Sequence, residues 1–141
     1  MRPRLTVLTL AVGDLDRAVA FYRDGLGWPT KGILGAEIEN GAVAFFKLEN
    51  GLAFGLWPKA SLVAEAGLED EGPQGSASFS LGYNVDSKEE VDEAMASALE
   101  AGGTVLKQAA DRDWGGYSGY FRDPDGHLWE VVWNPGFAEL T

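Results

Sequence analysis

A carboxylate set in the middle of an apolar strand is the group in this chain best placed to do chemistry. Glu130 lies in Leu128-Trp129-Glu130-Val131-Val132, and an unpaired charge among aliphatics is costly to bury, so the residue needs a cavity or a partner. In an apolar pocket its carboxyl could act as a general base, or hold a ligand's ammonium or guanidinium group. The same position also fits a structural tie, with Glu130 hydrogen-bonded to Tyr117, Tyr120 or Asn84. A second constellation, Trp114-Gly115-Gly116-Tyr117-Ser118-Gly119-Tyr120-Phe121, sets large flat rings among glycines that let another group approach the backbone. That composition suits a small-molecule pocket, with Trp114 the preferred contact because a Gly-rich loop is a poor place for core packing. Trp57, closing another apolar run, is expected on a pocket rim.

Other chemistries find little support. The chain has no cysteine, which excludes disulfides, thiolate metal ligands and a cysteine nucleophile. Its one histidine, His127, precedes Glu130 by three residues, so strand periodicity sends the two side chains to opposite faces and argues against a His-Glu metal pair. His127 reads as a solvent-accessible turn residue. Neither Ser80 nor Ser118 has the G-x-S-x-G context of a nucleophile elbow. Gly25, Gly27 and Gly32 match no phosphate-cradling pattern. Asp111, Arg112 and Asp113 read as a solvated turn.

The elements that must position Glu130 start from Asp123-Pro124-Asp125-Gly126, where Pro124 presets φ and Gly126 accepts positive φ, so the flanking apolar runs fold back as a hairpin. Period 2 then places Leu128, Glu130 and Val132 on one face and Trp129, Val131 and Trp133 on the other. Upstream, Arg4 to Val12 reads as a strand, Asp14 caps a helix, and Gly25 and Gly27 end it. Strands are expected around Ala36 to Glu39, Ala42 to Leu48 and Leu52 to Trp57, with Asn40-Gly41 and Asn50-Gly51 as turns. Glu37 and Glu39 alternate with Ile38 on the first of these. The pattern then repeats: a strand over Ser78 to Val85, a helix capped by Asp86 or Ser87 and stopped at Gly102-Gly103, and strands at Thr104 to Gln108, Tyr117 to Phe121 and His127 to Trp133. The fold class is therefore α+β, with paired βαβββ modules. Module one covers about 1–57, a Gly-, Pro- and acid-rich linker about 58–76, and module two about 77–141. A single sheet without a true repeat is the alternative.

At 141 residues and 45% hydrophobic composition the chain can bury a core as one domain, and it contains no run of roughly 20 apolar residues for a membrane span. No secretory signal is visible, and a cytoplasmic location is expected. A net charge of -11 argues against nucleic acid as a partner.

Two segments together resemble the vicinal oxygen chelate superfamily of glyoxalases, extradiol dioxygenases and bleomycin resistance proteins. They are the DPDG-x-x-x-E stretch ending at Glu130 and Asp14-Leu15-Asp16-Arg17-Ala18-Val19-Ala20-Phe21-Tyr22, which is followed by Leu26-Gly27. The resemblance implies that the paired modules form a curled mixed sheet with an open cleft, in which up to four protein ligands hold a divalent metal. Aligned to it, Val7 stands at the first ligand position, Ala53, Phe54 or Gly55 near the second, and Ser80 at the third, leaving only Glu130 as a strong donor. The chain is thus expected to lack metal and cofactor, and to bind or sequester a small aromatic or cationic molecule through Glu130, Trp114, Tyr117, Tyr120, Trp57 and Asn84, with Val7 and Ser80 lining the degenerate positions. The alternatives are a lactoylglutathione-lyase-like or dioxygenase enzyme with non-standard ligands, and a metal-free enzyme using Glu130 as base. A homodimer is expected, because paired modules leave strand edges to cover.

Overall fold

The structure, a computed structural model, describes residues 2–3, 6–66 and 80–137. The chain divides into two compact units, Met1–Pro73 and Gln74–Thr141. Unit one runs β1 (Val7–Val12), α1 (Leu15–Val19, prolonged by a π-helical turn at Ala20–Gly25), β2 (Thr30–Leu34), β3 (Val43–Lys47), β4 (Ala53–Pro58) and α2 (Lys59–Ala66). Unit two runs β5 (Leu81–Asn84), α3 (Lys88–Glu100), β6 (Thr104–Asp111), β7 (Tyr117–Arg122) and β8 (Leu128–Trp133). Each unit forms a four-stranded mixed sheet, ordered β1-β4-β3-β2 and β5-β8-β7-β6. The first and last strands of each unit pair in parallel and the other pairs are antiparallel. The fold is α+β, built on a βαβββ plan used twice.

Local chemistry sets the helix starts. The Asp14 side chain accepts a hydrogen bond from the Arg17 backbone N–H at 3.0 Å, and Ser87 Oγ accepts one from Glu90 N–H at 3.2 Å. Each satisfies a donor that the first helical turn leaves open. Glu90 returns the favour by accepting from Asp86 N–H at 2.7 Å.

Alternation then decides which face is buried. In unit one, Leu10, Val12, Phe46, Phe54 and Leu56 bury against Leu15, Ala18, Val19, Phe21 and Tyr22. Tyr22 sits edge-on to Phe54 at 4.9 Å, a geometry favoured by the ring quadrupoles. In unit two, Val91, Met95 and Ala98 of α3 share the core with Phe121, Trp129 and Val131. Their i, i+4, i+7 spacing makes one helical stripe. The opposite faces, away from α1 and α3, carry Val7, Thr9 and Gly55 in unit one and Ser118, Tyr120, Glu130 and Val132 in unit two.

Three expectations are corrected. Residues 36–39 form turns rather than a strand, with Ile38 N–H donating to Gly35 O and Gly41 N–H to Ile38 O, so Glu37 and Glu39 are simply exposed. The strand lies earlier, at Thr30–Leu34, and its register shifts between Thr30 and Ile33, where Gly32 has φ of 84°. A glycine bulge of this kind hides a strand from a period-2 reading. Lys59–Ala66, within the segment read as linker, is helical. Finally, β6 continues to Asp111, beyond Gln108. The acids Glu69, Asp70 and Glu71 lie outside the described residues.

Candidate functional site

The turn before β8 is a compact hydrogen-bonded unit. Asp123 Oδ1 accepts from the backbone N–H of Asp125 at 3.0 Å and of His127 at 2.8 Å, while Oδ2 meets His127 Nδ1 at 2.9 Å. Gly126 N–H closes the turn onto Asp123 O at 3.0 Å, with φ of 89° at Gly126. His127 is therefore buried, not solvent-accessible as its turn position suggests, because Asp123 reaches back to hold its ring. The side chains of Asp123 and His127 are only 1% and 5% exposed. This closure launches β8 in the phase that sends Trp129 and Val131 to the core and Glu130 to the opposite face.

Glu130 pairs with Tyr120 on β7 and with Gly82 on β5. Gly82 has no side chain, so space remains beside the carboxylate. That space belongs to a pocket of about 720 Å³ lined by Asn84, Trp114, Glu130, Val132, Asn134, Gly136 and Phe137. The Tyr120 phenol stands across from Glu130, and its pKa is raised, first by burial and then by the Glu130 carboxylate beside it, with Arg112 acting in the opposite direction. Asn134 Oδ1 accepts from Gly136 N–H at 3.0 Å, and Asn134 O from Phe137 N–H at 3.1 Å. These bonds fold the chain after β8 back so that Phe137 lines the pocket.

The loop between β6 and β7 supplies another wall. Arg112 N–H donates to Gly116 O at 2.8 Å, closing a tight turn that carries Trp114. The indole lies against Gly116, where a methyl group would overlap the ring. Arg112 itself spans the open face: Nε donates to Ser118 Oγ at 3.1 Å, and Nη2 donates to Ser118 O at 2.6 Å and Gln108 O at 3.2 Å.

The expected site residues separate accordingly. Asn84, Trp114 and Glu130 line one pocket, with Tyr120 the cross-strand partner of Glu130. Tyr117 lies on the α3 face, where its hydroxyl donates to Asp92 at 2.7 Å and Lys88 Nζ stands 5.6 Å from its ring centroid. Its pKa is raised mainly by the bond to Asp92. Ser80 is exposed just before β5. Val7 and Trp57 belong to unit one, Val7 opposite Ala53 and Trp57 with Nε1 donating to Asn40 O at 2.8 Å. Sequence reasoning passed over Asn134, Gly136 and Phe137, although Asn134-Pro135-Gly136 is a legible turn signal. It also left Arg112 as a solvated turn residue, because the bonds to Ser118 depend on strand pairing.

The donor set does not fit the divalent metal that the resemblance implies. Gly55 of β4 pairs with Thr9 of β1 as Glu130 of β8 pairs with Gly82 of β5, so the second ligand position that the resemblance implies falls on a residue with no side chain. Val7 offers no donor atom. Ser80 adds a hydroxyl, and among the described residues no group of three or more His, Asp or Glu side chains gathers. Catalytic metal sites ordinarily keep three protein ligands.

Comparison with known proteins agrees with this architecture. Residues 4–131 match the Glyoxalase/Bleomycin resistance protein/Dioxygenase superfamily. The uncharacterized protein YraH of Bacillus subtilis (strain 168) is 29% identical over 132 residues, covering 91% of this chain and 96% of its own. A glyoxalase-related enzyme from Fulvimarina pelagi superimposes with a TM-score of 0.80 at 33% identity, over 95% of this chain and 90% of that one. A lactoylglutathione lyase from Agrobacterium tumefaciens does so with a TM-score of 0.66 at 27% identity, over 94% and 95% of the two chains. The chain belongs to the Glyoxalase/Bleomycin resistance protein/Dioxygenase superfamily.

Proposed function

We propose that this protein binds a small planar molecule without a metal, in the pocket on the open face of the second unit, and serves to sequester or carry it. The observation that carries the reading is the placement of Glu130 between aromatic walls: one carboxylate shares a pocket with the exposed rings of Trp114 and Phe137. Flat apolar walls with a few convergent polar groups are the usual composition of small-molecule sites. A carboxylate adds a charge-assisted hydrogen bond for an ammonium or guanidinium group, and indole a cation-π contact. The missing metal donors favour binding over the metal-dependent lyase and dioxygenase chemistry of relatives. We propose further that the protein acts as a homodimer, since Leu34 on the edge strand β2 and Leu106 on the edge strand β6 are half exposed.

Calorimetric titration with cationic and neutral flat aromatics tests the binding reading. Glu130→Gln should cost the cationic ligands about 1.5 to 3 kcal/mol and leave neutral ones nearly unchanged, while Trp114→Ala should weaken both. Equal losses for both ligand types on Glu130→Gln would make Glu130 a structural tie and remove the reading's main support.

A further inference from the structure

A second charged group is held on the strand that pairs with a pocket wall: Ser118, which anchors it, lies opposite the pocket-lining Val132. Arg112 is fixed to the open face by its bonds to Ser118 Oγ, Ser118 O and Gln108 O. A guanidinium has five N–H donors. The three bonds engage Nε and Nη2, and among the described residues neither hydrogen of Nη1 has a partner. Ser118, on which the guanidinium rests, is itself buried, at 1% exposure. A partly buried arginine, immobilised through one side of its fork with the other side open, is pre-organised to receive an anion.

Register fixes where that anion would lie. Ser118 pairs with Val132 and Tyr120 with Glu130 on the same face. The Arg112 anchor and the Glu130 carboxylate therefore stand on a diagonal of one sheet, a separation of roughly 7 to 8 Å between the backbone positions that carry them. They form no ion pair with each other, and the Glu130 charge acts instead on the neighbouring Tyr120 phenol, its cross-strand partner. The positive charge of Arg112 also acts on the Tyr120 phenol. Trp114, two residues beyond Arg112 in the chain, walls the space next to them.

We propose that the pocket is bipolar, with Arg112 receiving an acidic group and Glu130 a cationic or strong donor group, so that its ligands are flat zwitterionic molecules charged at opposite ends. This rests on the binding function proposed above and narrows the ligand class it admits.

The test uses three probes on the intact protein by isothermal calorimetry. They are 4-(aminomethyl)benzoate, with its ammonium and carboxylate at opposite ends of a flat ring, benzylamine, with the ammonium alone, and benzoate, with the carboxylate alone. The wild-type protein should bind 4-(aminomethyl)benzoate about ten-fold more tightly than benzylamine, as one added charge-assisted contact implies. Arg112→Gln should abolish that preference and leave benzylamine unchanged. Arg112→Lys, which keeps the charge and loses the fork, should restore part of it. Equal wild-type affinity for 4-(aminomethyl)benzoate and benzylamine, with benzylamine still dependent on Glu130, overturns the bipolar proposal and leaves the binding function standing. Loss of both amine probes alike in Arg112→Gln makes Arg112 a structural clasp and also overturns it. Failure of all three probes to bind the wild-type protein removes both.

Discussion

The indole of Trp114 rests on Gly116 as on a seat, since any Cβ at position 116 would overlap the six-membered ring and also press within 2.7 Å of the Trp133 carbonyl oxygen. The ring can move but the carbonyl cannot. Gly116→Ala should therefore swing Trp114 off the pocket, weaken binding of flat ligands about as much as Trp114→Ala does, and cost about 1 to 3 kcal/mol of folding stability through overpacking. Trp114→Ala should leave stability nearly unchanged, because Trp114 is 53% exposed. Urea unfolding beside calorimetric titration separates the two variants.

Metal content checks the donor count directly. With Val7, Gly55 and Ser80 at the positions where the family resemblance implies ligands, purified protein should carry no stoichiometric Zn, Ni, Mn or Fe, and chelator should not move its melting temperature. A metal bound only to the folded state would stabilise it by mass action. One equivalent of copurifying metal whose removal lowers the transition would overturn the metal-free reading.

The turn before β8 should be a stability determinant. Asp123 accepts bonds from Asp125 N–H, His127 N–H and the His127 ring, and its side chain is 1% exposed. Asp123→Ala strands two backbone donors and a ring nitrogen at once, at an expected cost of about 2 to 4 kcal/mol in the urea midpoint analysis. A loss below about 0.5 kcal/mol, the range of ordinary surface changes, would show that the turn closes without the carboxylate.

High pH should loosen the fold through its tyrosines. Tyr120 is raised above its ordinary value of 10.0 by burial and by the Glu130 carboxylate beside it, and Tyr117 by its bond to Asp92. A raised phenol favours its neutral form in the folded state, so the contribution is complete below pH 10 or so and is lost as pH climbs through the folded values. Tyr120→Phe should flatten the alkaline decline in melting temperature and delete a late-titrating phenol from the ultraviolet titration. Loss of a phenol that titrates at the ordinary value, with the alkaline decline unchanged, would place Tyr120 in a solvated environment.

Much of this architecture is written in local pattern. Asp14 and Ser87 mark the helix starts, Pro124 and Gly126 the hairpin, and period 2 alone puts Glu130 opposite in phase to Trp129 and Val131. Even the separation of Tyr117 from Tyr120 is legible, since an odd spacing along a strand sends the two side chains to opposite faces. Tertiary structure decided what depends on partners distant in sequence. Strand pairing set Tyr120 across from Glu130, Gly55 across from Thr9, and Arg112 onto Ser118. The alternation of Glu37, Ile38 and Glu39 yielded to turns around Gly35 and Gly41, while Gly32 concealed the true strand at Thr30–Leu34. His127 was buried by a carboxylate four residues before it that has to curl back to reach the ring. Periodicity follows from the backbone's own geometry and can be read along the chain, whereas register, burial and the filling of a pocket are properties of surfaces that meet only once the chain has folded.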